Sequence, residues 1–367
     1  MSSLPLPVTI PLYRPDLTHA DGQACLRQVT RAPFVDGLAA RAWEAGWERL
    51  WERRAVAFAR HDEALGALKG LFGWHSGDMV ETDPLLDPAW SEALAANWLH
   101  AAWRDIDPMT GVAIGAPLTR PEGRGITRAM VVHHPFGLPA PCPDSDAGAQ
   151  HGTETRRGDA SRPDPAPVIL EEISSIPRPL PGIGHGLVQM VNLEGPRILP
   201  VGVGCLLLST DASLIEALIK KRSRPPSGPA SALGSALLAA LPSRLERRAE
   251  LAERYLGLRL RGLGILSARN ADGRGWEIFQ LLLGNENARA DLQTFLRRAG
   301  IGCAAPLWFT PSLTTGAATW GDATTGGDLP GLRAMQTRAL AIPLYAALSD
   351  PEQKKIINRI HRWAERR

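Results

Sequence analysis

The sequence predicts an α/β fold: a large, mainly parallel sheet covered by helices, then a smaller α+β part at the C-terminus. Three observations predict it. Short apolar runs alternate with helical patterns as far as about residue 225. One run, Pro167 to Glu172, ends in two carboxylates, at the kind of strand end where open α/β sheets place their chemistry. Gly186 to Thr210 reads as two apolar strands around a Gly/Pro-rich turn that carries one cation, Arg197. The expected division is a large domain over residues 1–225 and a small one over 226–367.

Bulk properties narrow the function classes. A chain of 367 residues can hold both domains and bury a substantial core. Apolar content of 44% and charged content of 22% are ordinary for a soluble protein. A net charge of +3 argues against nucleic acid or a membrane surface as partner. Cys25, Cys142, Cys205 and Cys303 are scattered without a CxxC pair, which predicts neither a metal site nor a disulfide framework. The first residues lack a charged region followed by a long apolar one, and no apolar run has the length of a membrane span. The expected location is a reducing cytoplasm.

In chain order, Val8 to Tyr13 is a short apolar segment and Asp16 to Thr30 has helical spacing. A turn over 32–37 precedes a helix from Leu38 to about Arg54, whose Leu38, Trp43, Trp47, Leu50 and Trp51 fall broadly on one side as a core face. Ala55 to Ala59 reads as a buried strand running straight into a helix, His61 to Phe72, stopped at Gly73. Such a junction commonly seats a phosphate on helix N–H groups. Here it reads Arg60-His61-Asp62-Glu63. No glycine permits close approach, and two carboxylates suit the helix dipole but repel an anion, so the junction reads as a capped structural helix.

Glu81 to Pro88 is full of Asp and Pro and shows no element, while Trp90 to Trp103 has helical spacing, closed by Arg104 to Pro108 as a strand end and turn. Ala129 to His133 is an apolar strand. The adjacent His133 and His134 point to opposite faces and cannot by themselves make a facing metal pair. Cys142 to Pro165, or 141–166 at its widest, has almost no large apolar residue and reads as a mobile surface loop. Beyond the hairpin, Ala212 to Lys221 is helical, Ser223 to Ser231 is a proline-rich linker, and Leu233 to Leu256 is a long helix with a potential break at Pro242. Gly264 to Ala268 and Trp276 to Leu283 read as strands around a polar turn, and Ala288 to Ala299 as a helix stopped by Gly300. A Thr/Gly-rich loop from Trp308 to Gly327 leads to a helical stretch, Leu332 to Leu340, a short extended piece, Ile342 to Tyr345, and a final helix, Asp350 to Trp363.

Leu340-Ala341-Ile342-Pro343-Leu344-Tyr345, then Leu348-Ser349-Asp350-Pro351-Glu352-Gln353 and a helix, is the form in which one enzyme family closes. Further matches are Ala55-Val56-Ala57, Gly77-Asp78, Asp105-Ile106-Asp107-Pro108, Phe136-Gly137-Leu138-Pro139-Ala140 and Arg298-Ala299-Gly300-Ile301-Gly302. In this order and at this spacing the chain resembles the DegT/DnrJ/StrS sugar aminotransferases along nearly its whole length. The resemblance implies a fold-type I pyridoxal-phosphate (PLP) transferase-like fold, PLP as the cofactor, and a homodimer that builds its site from both subunits.

The resemblance also implies where a cofactor would sit, and most of those positions have changed. The family's Ser-Gly-Thr turn, which holds the cofactor phosphate, corresponds to Arg60-His61-Asp62. The aromatic that stacks on the pyridine ring falls at Asp87, and the Asp that pairs with the ring nitrogen at Glu172. The Gln or His three residues on corresponds to Ser175, a phosphate-binding Ser to Asn192, and a partner-subunit Asn falls close to Ser223. The Schiff-base lysine corresponds to Arg197. A Schiff base requires a neutral primary amine, which a guanidinium cannot supply. The five lysines, Lys69, Lys220, Lys221, Lys354 and Lys355, offer no obvious substitute. Family members with histidine at the lysine position keep the phosphate and ring sites, so this chain fits that variant poorly.

The resulting expectation is a degenerate family member. PLP is not covalently bound, or is absent, and the role is binding, structural or regulatory in sugar-nucleotide or polysaccharide metabolism. The expected partners are a second copy or an active paralogue, with a nucleotide sugar as ligand and neither nucleic acid nor membrane. The alternative is an active PLP-dependent aminotransferase of a nucleotide-linked keto-sugar with an atypical site. A third reading, another reaction class, uses His61 or His133 as base and Arg197 as oxyanion holder.

Overall fold

The computed structural model describes residues 8–30, 37–115, 126–142, 166–181, 183–194, 198–258, 260, 263–265, 274–305 and 329–366. The expected turn at 32–37, except Gly37, the loop at 142–165, except Cys142, and the loop at 308–327 lie outside the described residues, as does Arg197.

A seven-stranded sheet runs through the N-terminal two thirds. Its strands, in chain order, are β1 (Arg54–Phe58), β2 (Met79–Thr82), β3 (His100–Trp103), β6 (Thr127–His133), β7 (Val168–Glu172), β8 (Val188–Asn192) and β9 (Cys205–Ser209). The spatial order is β1-β9-β8-β7-β6-β2-β3. Neighbours pair in parallel except around β9, which is antiparallel to both β8 and β1. The predicted mainly parallel sheet is therefore present, and the predicted hairpin is its β8–β9 pair. Strands β7, β8 and β9 are buried at every residue, which explains their near-continuous apolar runs. A small ribbon, β4 (Asp105–Ile106) with β5 (Ala113–Ile114), stands outside the sheet.

Helices cover both faces. Apolar residues of α3 (His61–Leu71), α4 (Pro88–Ala96) and α5 (Ala212–Lys221) pack with Val56, Val80, Leu170, Met190 and Leu207. On the other face α2 (Leu38–Trp51) and α6 (Gly228–Ala239) pack with Ala55, Val191 and Leu206. The tryptophans of α2 are core, as predicted: Trp43, Trp47 and Trp51 are buried. Gly234 of α6 makes room for the first, since a Cβ there would lie 2.4 Å from the Trp43 ring. An N-terminal helix, α1 (His19–Val29), packs on α6.

The C-terminal part is a three-stranded antiparallel sheet of β10 (Leu263–Ile265), β11 (Phe279–Leu283) and β12 (Ala339–Ile342), with β11 central. Around it lie α7 (Leu241–Leu256), α8 (Glu286–Arg298), α9 (Pro330–Arg338) and α10 (Asp350–Ala364). The first turn of α10 carries a full capping box between Ser349 and Glu352. Two buried ion pairs strap the N-terminal segment to α7: Arg248 to Asp16 at 2.7 Å and Arg244 to Asp21 at 2.5 Å.

Several sequence expectations change. The helix from Leu38 stops at Trp51 rather than Arg54, because Glu52 turns left-handed at φ 52° and β1 starts at Arg54. Leu38 is 54% exposed and leaves the core face. Met79–Thr82, assigned no element, is a strand buried at all four residues. The helix read from Trp90 to Trp103 ends at Ala96, Trp98 adopts φ 55°, and His100–Trp103 pairs with β2 instead. The linker read as far as Ser231 ends at Ser227, which caps α6, and the long helix breaks at Ala240, with Pro242 in the first turn of α7. The helix read to Leu340 ends at Arg338, and Leu340 lies in β12.

Candidate functional site

The carboxyl ends of β1, β2, β6, β7 and β8 and the start of β9 form one edge of the large sheet. Register sets Phe58 beside Cys205, Cys205 beside Asn192, and Glu172 beside His133. Side chains alternate along a strand. Leu170, Met190 and Cys205 belong to the core under α3 and α4, so Glu172 and Asn192 also face those helices.

Buried polar groups on that face form a continuous chain of hydrogen bonds. The Trp90 indole N–H of α4 donates to Glu172 Oε2 at 2.7 Å. The Ser174 N–H donates to Glu172 Oε1 at 2.9 Å, and the Ser174 hydroxyl donates to the same oxygen. That hydroxyl accepts the Asn192 N–H at 2.6 Å, and Asn192 Oδ1 accepts the Glu194 N–H at 3.0 Å. Glu194 Oε1 then accepts the His61 N–H, the first residue of α3, at 3.3 Å. The His61 ring stands edge-on to Trp90, with centroids 4.7 Å apart and planes at 67°. His61, Trp90, Glu172 and Asn192 are each 0–2% exposed.

The charges here are mostly negative. Burial pushes the Glu194 carboxyl above its ordinary value, and the charges of Asp87 and Asp62 add to the shift, against the His61 and Gly204 N–H groups. Burial, with the Glu172 and Glu194 carboxylates, holds the Cys205 thiol well above its usual range.

The opposite face has its own cluster. Glu171 Oε1 accepts His134 Nε2 at 3.1 Å and the Gly184 N–H at 2.8 Å, and its Oε2 accepts the Gly186 N–H at 3.1 Å. Ala140 donates to His134 Nδ1 at 2.9 Å, so the imidazole proton is on Nε2 and points to Glu171. Burial alone would raise the Glu171 pKa; these bonds and His134 outweigh it and hold it below the ordinary value. The two adjacent histidines do point apart, since His133 Nδ1 lies 3.2 Å from Asp83 Oδ2.

The sequence-predicted positions thus separate. His61, Glu172 and Asn192 converge. Asp87 caps α4 through the Ala89 N–H at 2.7 Å, one turn before Trp90. Asp62 turns away to a bidentate pair with Arg60, at 2.8 and 2.7 Å. Ser175 donates to the His134 carbonyl at 2.6 Å, and the exposed Ser223 reaches Glu63 at 3.3 Å. Trp90, Ser174 and Glu194 were not singled out from the sequence. For Glu194 the available signal was an acid two residues past a strand end, opposite a helix start.

All five lysines lie elsewhere. Lys69 donates to the Asn97 carbonyl at 2.5 Å, and Lys221 lies near Gly70, both at the far end of α3. Lys220 is exposed at the end of α5, and Lys354 and Lys355 are exposed on α10. A cavity of about 420 Å³ opens beside the β1–α3 junction. Ala39, Ala59, Val203, Pro225 and Pro226 are among its lining residues, and its charged ones among the described residues are Arg60 and Arg224. The C-terminal part closes the edge from another side: the Gly275 N–H donates to the Gly137 carbonyl at 2.7 Å, and a Cβ at Gly275 would lie 2.0 Å from the Ser175 carbonyl.

Residues 229–361 match the model of the DegT/DnrJ/EryC1/StrS aminotransferase family, so the resemblance read from the sequence is borne out. That family is PLP-dependent. No curated protein matches by sequence. Among solved structures, the chain is similar to the aminotransferase TlmJ of Streptoalloteichus hindustanus, with a TM-score of 0.77, 20% identity, and 97% of this chain and 99% of that one covered. It is similar to PseC of Helicobacter pylori, an aminotransferase of pseudoaminic acid biosynthesis, with a TM-score of 0.79, 15% identity, and 98% and 100% covered. A Streptococcus pneumoniae protein solved in a PMP-form matches with a TM-score of 0.75, 16% identity, and 97% and 98% covered. At such identities the likeness shows the shared fold.

Proposed function

We propose, for a chain that belongs to the DegT/DnrJ/EryC1/StrS aminotransferase family by the match over its residues 229–361, a binding or regulatory role in sugar-nucleotide metabolism without transamination of its own. The observation that carries this reading is the hydrogen-bonded chain from Trp90 to His61, because it uses the groups a PLP molecule would require. Glu172, at the ring-nitrogen position, already accepts from Trp90 and Ser174. Asp87, at the stacking position, is a helix cap. The His61 N–H, at the phosphate position, already bonds a carboxylate. Lysine supplies no amine at this edge, and Arg197 of the sequence is a guanidinium. These residues do not fit PLP.

The cavity with Arg60 and Arg224 supports a nucleotide-sugar ligand. Its volume suits a small molecule, and the Arg224 guanidinium, beside an Arg60 already held by Asp62, suits a phosphate group. The assembly proposed is a homodimer, or a pair with an active paralogue. A second reading, an active aminotransferase of a nucleotide-linked keto-sugar, draws on the carboxylate that Glu172 still presents at the strand end.

Absorbance decides between them. The purified protein, mixed with excess PLP and freed of unbound cofactor, is scanned before and after borohydride. A colourless protein with no cofactor reduced onto a lysine is the expected result. A yellow species that borohydride fixes to a lysine would establish the second reading.

A further inference from the structure

We infer that Glu194 is a built-in occupant of the anion cradle at the start of α3, so that phosphate is kept out by a carboxylate of the chain itself. This inference rests on the cofactor-free reading and adds the residue that enforces it. Helix N-termini attract anions because their first N–H groups lack helical partners and carry the positive end of the dipole. At α3 one such group, the His61 N–H, points at Glu194 Oε1, and the side chain of Arg60 before it makes no capping bond. Gly204, just before β9, must be glycine for its own backbone: its φ is 98°, and a Cβ would lie 2.9 Å from the Phe58 carbonyl.

An independent observation marks the place as one built around an acceptor. The Asn192 side chain is fully buried on the face that α3 covers, and its Nδ2 has no hydrogen-bond partner. Its Oδ1 holds the Glu194 backbone N–H at 3.0 Å. The donor thus stands in the strand-end turn that positions the carboxylate. A phosphate would have to displace Glu194, and would then stand near Asp62 and Asp87, whose charges are already felt there. With Glu194 in place the cradle is closed; with its carboxylate removed, the His61 N–H and the buried Asn192 amide are available to an external anion.

The test is calorimetric titration of the full chain with inorganic phosphate, and separately with PLP. The wild type is expected to bind neither measurably, and Glu194→Ala to bind phosphate at least about tenfold more tightly, through loss of one like charge and the space it filled. Glu194→Gln keeps the shape and removes the charge; it covers the case in which the alanine variant does not fold, with a smaller gain over wild type. Equal phosphate affinity in wild type and both folded variants would overturn the role of Glu194 and leave the cofactor-free reading intact. A lysine-linked PLP in the wild type would instead overturn the cofactor-free reading.

Discussion

Arg248 in the C-terminal part and Glu172 at the strand edge are both buried charges, and their surroundings differ. Arg248 is 1% exposed, meets Asp16 at 3.0 and 2.7 Å, and gives Nη1 to the carbonyls of Trp276, Glu277 and Leu344. Glu172 is held by an indole, a hydroxyl and a backbone N–H, all neutral. The first arrangement cancels charge; the second leaves a carboxylate whose stability depends on each donor. The family match covers residues 229–361, which include Arg248, whereas every position of the inferred cofactor site precedes residue 229.

The largest expected effect sharpens this contrast. Arg248→Met leaves Asp16 buried without its cation and costs about 3–5 kcal/mol, read as a lower urea midpoint with an unchanged slope. A loss below about 1 kcal/mol would erase the distinction between the two regions.

Next in size is Glu171→Gln, on the other face of the same strand end. An amide cannot accept all three donors, so at pH 7 the loss is about 1.5–3 kcal/mol. The folded Glu171 pKa lies below its ordinary 4.5, so its contribution is present above that value and disappears as the pH falls through the folded value. Urea midpoints against pH should therefore converge for wild type and variant in acid. A gap that is constant with pH would mean that the cost is steric.

The smallest expected effect belongs to Trp90→Phe. It removes one of three donors to Glu172 and costs about 1–2 kcal/mol, because the two Ser174 donors remain. A loss as large as that of Arg248→Met would show that the strand edge is as tightly coupled as the C-terminal ion pair.

Much of the fold was legible in the residue order. The apolar runs of β7, β8 and β9, the tryptophan face of α2, the Gly73 and Gly300 stops and Pro351 in the first turn of α10 all act between near neighbours. Strand β2 was hidden because Glu81 and Thr82 look like loop residues until neighbours on both sides bury them. Strand β3 was read as helix because Trp90, Leu94, Trp98 and Leu99 share a helical spacing; pairing with β2 overrode it.

The site shows the same limit. The residues that the resemblance aligns with cofactor positions, Arg197 among them, could be named from the sequence alone. The partners of those residues could not be: Trp90 reaches Glu172 across 82 residues and His61 reaches Glu194 across 133. Local rules fix helices, turns and strand ends because their hydrogen bonds close within a few residues. The partner of a buried carboxylate is selected by packing, which brings distant donors together only after the sheet and its helices have assembled.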